Sequence, residues 1–225
     1  MGNLFLEYMS KATKRRNIEQ REKGPVITIS RQYGCYATEI AKSLSERLTA
    51  LSSKQWDYIT KEILEESANK LKVSEKEIAH LFGADAKGFF GNLIMSFGGS
   101  KYKSESIVIN TINNVVRTFC EQGNVVLVGR AGCTIAKSID LALHVRIIAP
   151  FDYRVEAIKK RFQLSEQDAI KKVQEIDKDR KRFMGFFKEE RNDDEIFDLF
   201  LNRSKMKTEE MVDTIIAAAK SRKLY

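Results

Sequence analysis

The sequence has little of what builds a stapled, metal-clustered or membrane-spanning protein. It holds three cysteines in 225 residues, Cys35, Cys120 and Cys133. They are widely spaced with no Cys-x-x-Cys pair, which argues against a disulfide framework and against a thiolate zinc site. The two histidines, His80 and His144, offer no metal-ligand spacing, and His144 stands inside an apolar run that reads as a strand. No apolar run approaches the ~18–20 residues that cross a bilayer. The opening Met1-Gly2-Asn3-Leu4-Phe5-Leu6 lacks the basic region, long apolar core and cleavage site of a secretory signal. Leu6 stands where a myristoylation motif wants Ser or Thr. Internal repeats and low-complexity tracts are absent too. Together these absences predict a soluble, cytoplasmic protein with no membrane partner.

What is present suffices for a packed domain. Apolar residues make up 43% of the chain, so a core can form and disorder is not expected. The length suits one domain with an inserted subdomain. The 39 Lys and Arg exceed the 31 Asp and Glu, for a net charge of +8. Such an excess fits nucleic-acid binding, and equally a pocket for a polyanionic small molecule such as a nucleotide. Where the charge sits must decide.

Residues 1–24 form a basic leader that ends at Gly24-Pro25, and a single domain follows over 25–225. Val26-Ile27-Thr28-Ile29-Ser30 reads as a buried strand. A turn follows, and from Thr38 the period becomes helical, with Ile40, Ala41, Leu44 and Leu48 on one face to about Leu51. Val125-Val126-Leu127-Val128-Gly129 and Leu143-His144-Val145-Arg146-Ile147-Ile148 are further continuous apolar runs, the pattern of parallel strands covered on both faces. The alternating Ile196–Leu201 suits a sheet edge, and a short strand near Gln55–Tyr58 is a further candidate. Helices are expected over roughly 59–71, 75–82, 104–122, 152–162, 166–185 and 208–221. The grammar is that of a three-layer, doubly wound α/β protein with a parallel sheet of about five strands.

Such sheets bind ligands outside the carboxyl ends of their strands. After the first strand stands Ser30-Arg31-Gln32-Tyr33-Gly34-Cys35-Tyr36-Ala37-Thr38-Glu39, in the position where backbone N–H groups cradle a phosphate. It lacks the full G-x-x-x-x-G-K-[ST] pattern: Gly34 is its only glycine, and no lysine follows. By itself it reads either as a phosphate loop or as a plain strand-to-helix connection. Gly129-Arg130-Ala131-Gly132 follows a second strand, and Pro150, Phe151, Asp152 and Arg154 follow a third.

The ordered series Ile27–Gly34, Glu39-Ile40-Ala41, Tyr58–Leu64, Val128–Gly132, Leu143–Pro150, Asp177–Phe183 and Phe197–Asn202 resembles the cytidylate kinase-like family, of P-loop nucleoside-monophosphate kinase type, over roughly residues 25–220. The resemblance implies ATP with Mg²⁺ as donor and a pyrimidine monophosphate as acceptor. It implies an acceptor-binding insertion at about 55–105 and a lid at about 155–190. Gly34 would be the phosphate-loop glycine, with Arg130 on the acceptor side and Asp57 there too, where an acidic residue follows the second strand. Arg154, Arg161 and the lid pair Asp179 and Arg182 would act in transfer. The hydrophobic, glycine-rich stretch from Phe82 to Gly99 is expected to be a hinged cover or a dimer surface. Relatives read Gly-Ser-Gly-Gly-Arg in the loop, whereas this chain reads Gly34-Cys35-Tyr36-Ala37-Thr38. The competing expectation is therefore a nucleotide-binding protein whose donor loop has lost catalytic power. Basic groups at strand ends and in a lid argue for a nucleotide rather than a nucleic acid.

Overall fold

The computed structural model describes residues 25–60, 113, 116–129, 131–185 and 195–225. The leader and the expected helices at 59–71 and 75–82 lie, wholly or nearly so, outside the described residues, as do most of the acceptor-binding insertion and the Phe82–Gly99 stretch. The described chain runs through β1 (Val26–Arg31), α1 (Ala37–Ser52), β2 (Asp57–Ile59), β3 (Val125–Val128), α2 (Gly132–Ile135), β4 (Ala142–Ile148), α3 (Phe151–Phe162), α4 (Glu166–Gly185), β5 (Leu199–Asn202) and α5 (Thr208–Ser221). Residues 116–122 are helical as well.

All five strands are parallel, in the order β2-β3-β1-β4-β5. The central β1 has β3 on one side and β4 on the other, with Val26 opposite both Val125 and Ala142. The continuous apolar runs are the inner strands, and the two weaker candidates are the edges. That follows from cover, since inner strands need apolar groups on both faces while edges reach solvent. The edge strand β5 leaves Phe200 45% exposed, whereas Val125–Val128 of β3 are all buried.

Alternation sorts each strand's residues between the faces. One face carries Ile27, Ile29, Val126, Val128, Leu143, Val145 and Ile147, which join Ile40, Leu44 and Leu48 of α1 and Met211, Val212 and Ile215 of α5 in a single core. The opposite face is more polar. There Thr28 Oγ1 meets His144 Nδ1 at 2.7 Å, and Arg146 Nη1 donates to Ser30 Oγ at 2.7 Å. His144 is thus a strand residue.

From β1 the chain moves two places toward the β2 edge, while from β4 it steps toward the β5 edge. The connections leave β1 and β4 in opposite directions, so the crevice beside the β1 carboxyl end is the switch point where this sheet type takes a ligand. A separate small core, Val155 and Ile158 of α3 with Ala169 and Val173 of α4, stands over that end and packs against Tyr33 of the loop after β1. The hairpin of α3 and α4 is therefore docked on the first loop.

Candidate functional site

The loop after β1 is shaped by backbone conformation. Gly34 has φ +92° and Tyr36 has φ 50° and ψ 42°, so two left-handed residues turn the chain into α1. At Gly34 the requirement is also steric. A Cβ there would lie 3.0 Å from both Cβ and the carbonyl oxygen of Arg154 and 3.1 Å from its Cα. The loop and the start of α3 approach closely because position 34 has no side chain.

Arg154 is buried, with side-chain exposure of 7%. Its Nε donates to Ala149 O at 3.2 Å and its Nη1 to Tyr33 O at 3.3 Å, and the guanidinium is paired with the Asp177 carboxylate. Asp177 Oδ1 accepts the Tyr33 N–H at 2.8 Å. One turn later, Arg180 donates from Nη1 to Arg31 O at 3.2 Å and lies over the Tyr33 ring, 5.3 Å from its centroid. Three side chains of the hairpin thus hold the backbone of residues 31–33. Gln32 fixes the loop from the sheet side, its N–H donating to Ile147 O and its Oε1 accepting from Ala149 N.

The second half of the loop meets α3. Tyr36 donates its hydroxyl to Ala157 O at 2.5 Å, and Arg161 lies 4.9 Å above its ring. Arg161 also stands 3.9 Å from Glu39, with both side chains more than half exposed. Burial raises the pKa of both Tyr33 and Tyr36 against the lowering effect of nearby arginines, so the phenols stay protonated near neutrality. Cys35 is fully buried, and burial pushes its thiol up to about 11. It is a packing residue and not a nucleophile at neutral pH.

The sequence-derived site residues do not all converge. Ser30, Arg31, Gly34, Cys35, Tyr36, Ala37, Thr38 and Glu39 form the loop and the first turn of α1, with Arg154 and Arg161 above it. Arg31 sends its guanidinium over Gly129, where a Cβ would lie 2.0 Å from Nη1. Asp57 opens β2 rather than following it. Its partner across the sheet is Val125, which in turn is paired with Val26, so it stands at the amino end of the strands, away from the loop. Arg130 and the side chain of Arg182 lie outside the described residues. Asp179 is exposed on α4.

The sequence gives Asp177 no role and marks Arg180 only as one of the basic residues expected in the lid. Two overlapping Asp-x-x-Arg pairs occur in α4, and the spacing alone selects neither. Helical phase selects one. Ala169 and Val173 are buried, and Asp177 and Arg180 continue that stripe at intervals of four and three, while Asp179 falls on another face.

The described residues also enclose a cavity of about 270 Å³ among Cys133, Lys137, His144, Asp198 and Arg222. It opens near the amino ends of β4 and β5. Asp198 there accepts the His144 N–H and holds Arg222 through two nitrogens, so its carboxylate is occupied within the fold.

A parallel sheet in this order, a glycine-bearing loop at the carboxyl end of its central strand and an arginine-bearing helical hairpin over that loop define a doubly wound α/β protein with its candidate site at that end of the sheet. The chain belongs to the cytidylate kinase-like family, whose model matches residues 26–205. Over 99 residues it is 33% identical to a cytidylate kinase of Pyrococcus horikoshii, a match covering 44% of this chain and 50% of that protein. The matched region thus spans about half the length of this curated relative. Among solved structures, an uncharacterized protein from Eubacterium ventriosum superposes with a TM-score of 0.63 at 21% identity, covering 88% of this chain and 99% of that one. A shikimate kinase from Bacteroides thetaiotaomicron gives 0.47 at 10% identity, over 87% and 98% of the two chains.

Proposed function

We propose that the protein transfers a phosphoryl group from ATP to a nucleoside monophosphate, a pyrimidine monophosphate of the cytidylate kind being the first acceptor to test. The observation that carries this reading is the meeting, at the carboxyl end of β1, of a left-handed glycine loop with Arg154, Arg161 and Arg180 from a hairpin that packs over it. Phosphoryl transfer asks a protein mainly to align two substrates and neutralise charge on the transferring group. Arginines suit that work because their planar fork binds phosphate oxygens in pairs and stays charged.

The roles divide by exposure. Arg161 is over half exposed beside the loop and is placed to meet a donor phosphate. Arg154, buried and engaged by Asp177 and two carbonyls, shapes the loop in this conformation and reaches phosphate when that network rearranges. Arg130, which follows Gly129 in the sequence, would serve the acceptor, as the family resemblance implies. Asp179 and Arg182 of α4 complete the lid.

Mg²⁺ fits the oxygen donors present. Thr38 and Glu39 are both exposed in the first turn of α1, and such sites bind Mg²⁺ through one or two protein oxygens plus substrate phosphates rather than a protein cage. When bound with ATP, the ion supplies charge neutralisation between the phosphates.

A second reading is favoured by one specific feature. Tyr36, not glycine, takes the left-handed position, and its hydroxyl is tied to α3. On that reading the protein binds nucleotide without transferring phosphate. An ADP-release assay with ATP, Mg²⁺ and each nucleoside monophosphate separates the two. Turnover with CMP, dCMP or UMP is the expected result. Nucleotide binding without turnover on any acceptor favours the second reading.

A further inference from the structure

The geometry points to a second identity for Asp177: it is a built-in anion that occupies the phosphate-binding donors of the first loop, and nucleotide must displace it. We propose that the conformation described here is this latched form. The inference rests on the nucleotide-binding reading of the same loop.

Four observations carry it. The Asp177 carboxylate accepts a loop N–H, that of Tyr33, with its other oxygen on Arg154. A backbone N–H beside a guanidinium is the donor set with which such loops hold a phosphate oxygen. The same hairpin holds the loop's other polar handles, since Arg154 takes Tyr33 O, Arg180 takes Arg31 O and Tyr36 O–H reaches Ala157 O. Burial adds cooperation, because Tyr33 packs into the small core of the hairpin with Val155, Ile158, Ala169 and Val173. Finally, Asp177 lies on the apolar stripe of α4, where an ionised carboxylate needs partners, and the loop supplies one of them.

The exchange balances chemically. An incoming phosphate brings negative charge to the point where Asp177 already holds it, and like charges do not share one donor set. The carboxylate leaves for solvent as the hairpin lifts, and Tyr33 N–H and Arg154 pass to the phosphate. No covalent bond changes. A closed scaffold with no such exchange would bind nucleotide no better when Asp177 is removed.

Stopped-flow binding of ATP to the full chain tests the proposal. In the unaltered protein the observed rate is expected to level off with ATP concentration at the rate of hairpin opening. Asp177→Asn is expected to raise that plateau about tenfold, the factor carried by one hydrogen bond to a charged group, and to tighten ATP binding. Tyr36→Phe removes one neutral latch bond and leaves no buried charge behind. It keeps the test decisive if Asp177→Asn does not fold, with an expected rise of about two- to fivefold. Unchanged or weaker ATP binding with no change in plateau, in whichever variants fold, overturns the latch. Failure of ATP to bind to any of the proteins also overturns it. In that case calorimetry with CMP, which uses the acceptor side, decides separately whether the nucleotide reading falls.

Discussion

At Gly34 two constraints coincide, and each would be costly alone. The backbone sits at φ +92°, where a side chain is strained, and the Arg154 backbone fills the space a Cβ would take. Gly34→Ala is therefore expected to destabilise the protein by about 1–3 kcal/mol and to loosen the contact between the loop and α3. Chemical denaturation followed by the fluorescence of Trp56, the one tryptophan, provides the measurement. Tyr36 presents the opposite case. It adopts φ 50° despite its side chain, and the hydroxyl bond to Ala157 O and the stacked Arg161 hold it there. Tyr36→Gly relieves the backbone, and Thr38→Arg returns a basic group to the loop. The double variant is expected to raise kcat for nucleoside-monophosphate phosphorylation by about tenfold to a few hundredfold, the range one charge-assisted contact supplies. An unchanged or lower kcat in the ADP-release assay would refute the idea that the loop limits catalysis.

Helices and strands differ in how openly their residues announce them. Strands β1, β3 and β4 were legible because two-sided cover demands unbroken apolar runs, and Val125–Val128 and Leu143–Ile148 have them. Helix α1 was legible because Ile40, Ala41, Leu44 and Leu48 mark one face at helical spacing, and all four are buried. Leu44 is fully buried between sheet and helix, so Leu44→Ala is expected to cost about 2–5 kcal/mol, seen as a lowered denaturation midpoint without loss of the sheet's circular-dichroism signal in native buffer. The site was less legible, for a reason of phase. Two Asp-x-x-Arg pairs overlap in α4, and only the buried positions Ala169 and Val173 reveal that Asp177 and Arg180 face the loop. Asp57 misled differently. A three-residue strand has no periodicity of its own, so the sequence could not show that Asp57 opens β2 instead of following it.

Across the whole molecule the two ends of the sheet are electrically distinct. At the carboxyl end Arg154, Arg161 and Arg180 gather around the first loop, so the net charge of +8 has a local meaning there that suits phosphate better than a broad nucleic-acid surface. No described helix is long and apolar enough to cross a membrane. At the amino end a carboxylate and a cation are already matched, Asp198 with Arg222, around His144. Burial holds the His144 imidazole below its ordinary 6.5, against Asp198, which raises it, and with Arg222, which lowers it further. Lys137 and Asp140 line the same cavity. Because the folded protein binds that proton less readily than the unfolded chain, the unfolded state takes up more protons below about pH 6.5. The stability tied to neutral His144 is thus complete above that pH and drains away as pH falls toward the lower folded value. Urea denaturation at pH 7.5 and pH 5.5 is expected to show a lower midpoint in acid for the unaltered protein, and a smaller acid loss for His144→Gln, which keeps a polar partner for Thr28 but cannot titrate. Equal acid losses in the two proteins would mean that carboxylate protonation, and not His144, governs the acid limb. Since the first loop lies at the opposite end of the strands, ATP affinity per folded molecule should be the same for His144→Gln and the unaltered protein at pH 7.5, which separates the stability of the sheet from the chemistry at its carboxyl edge.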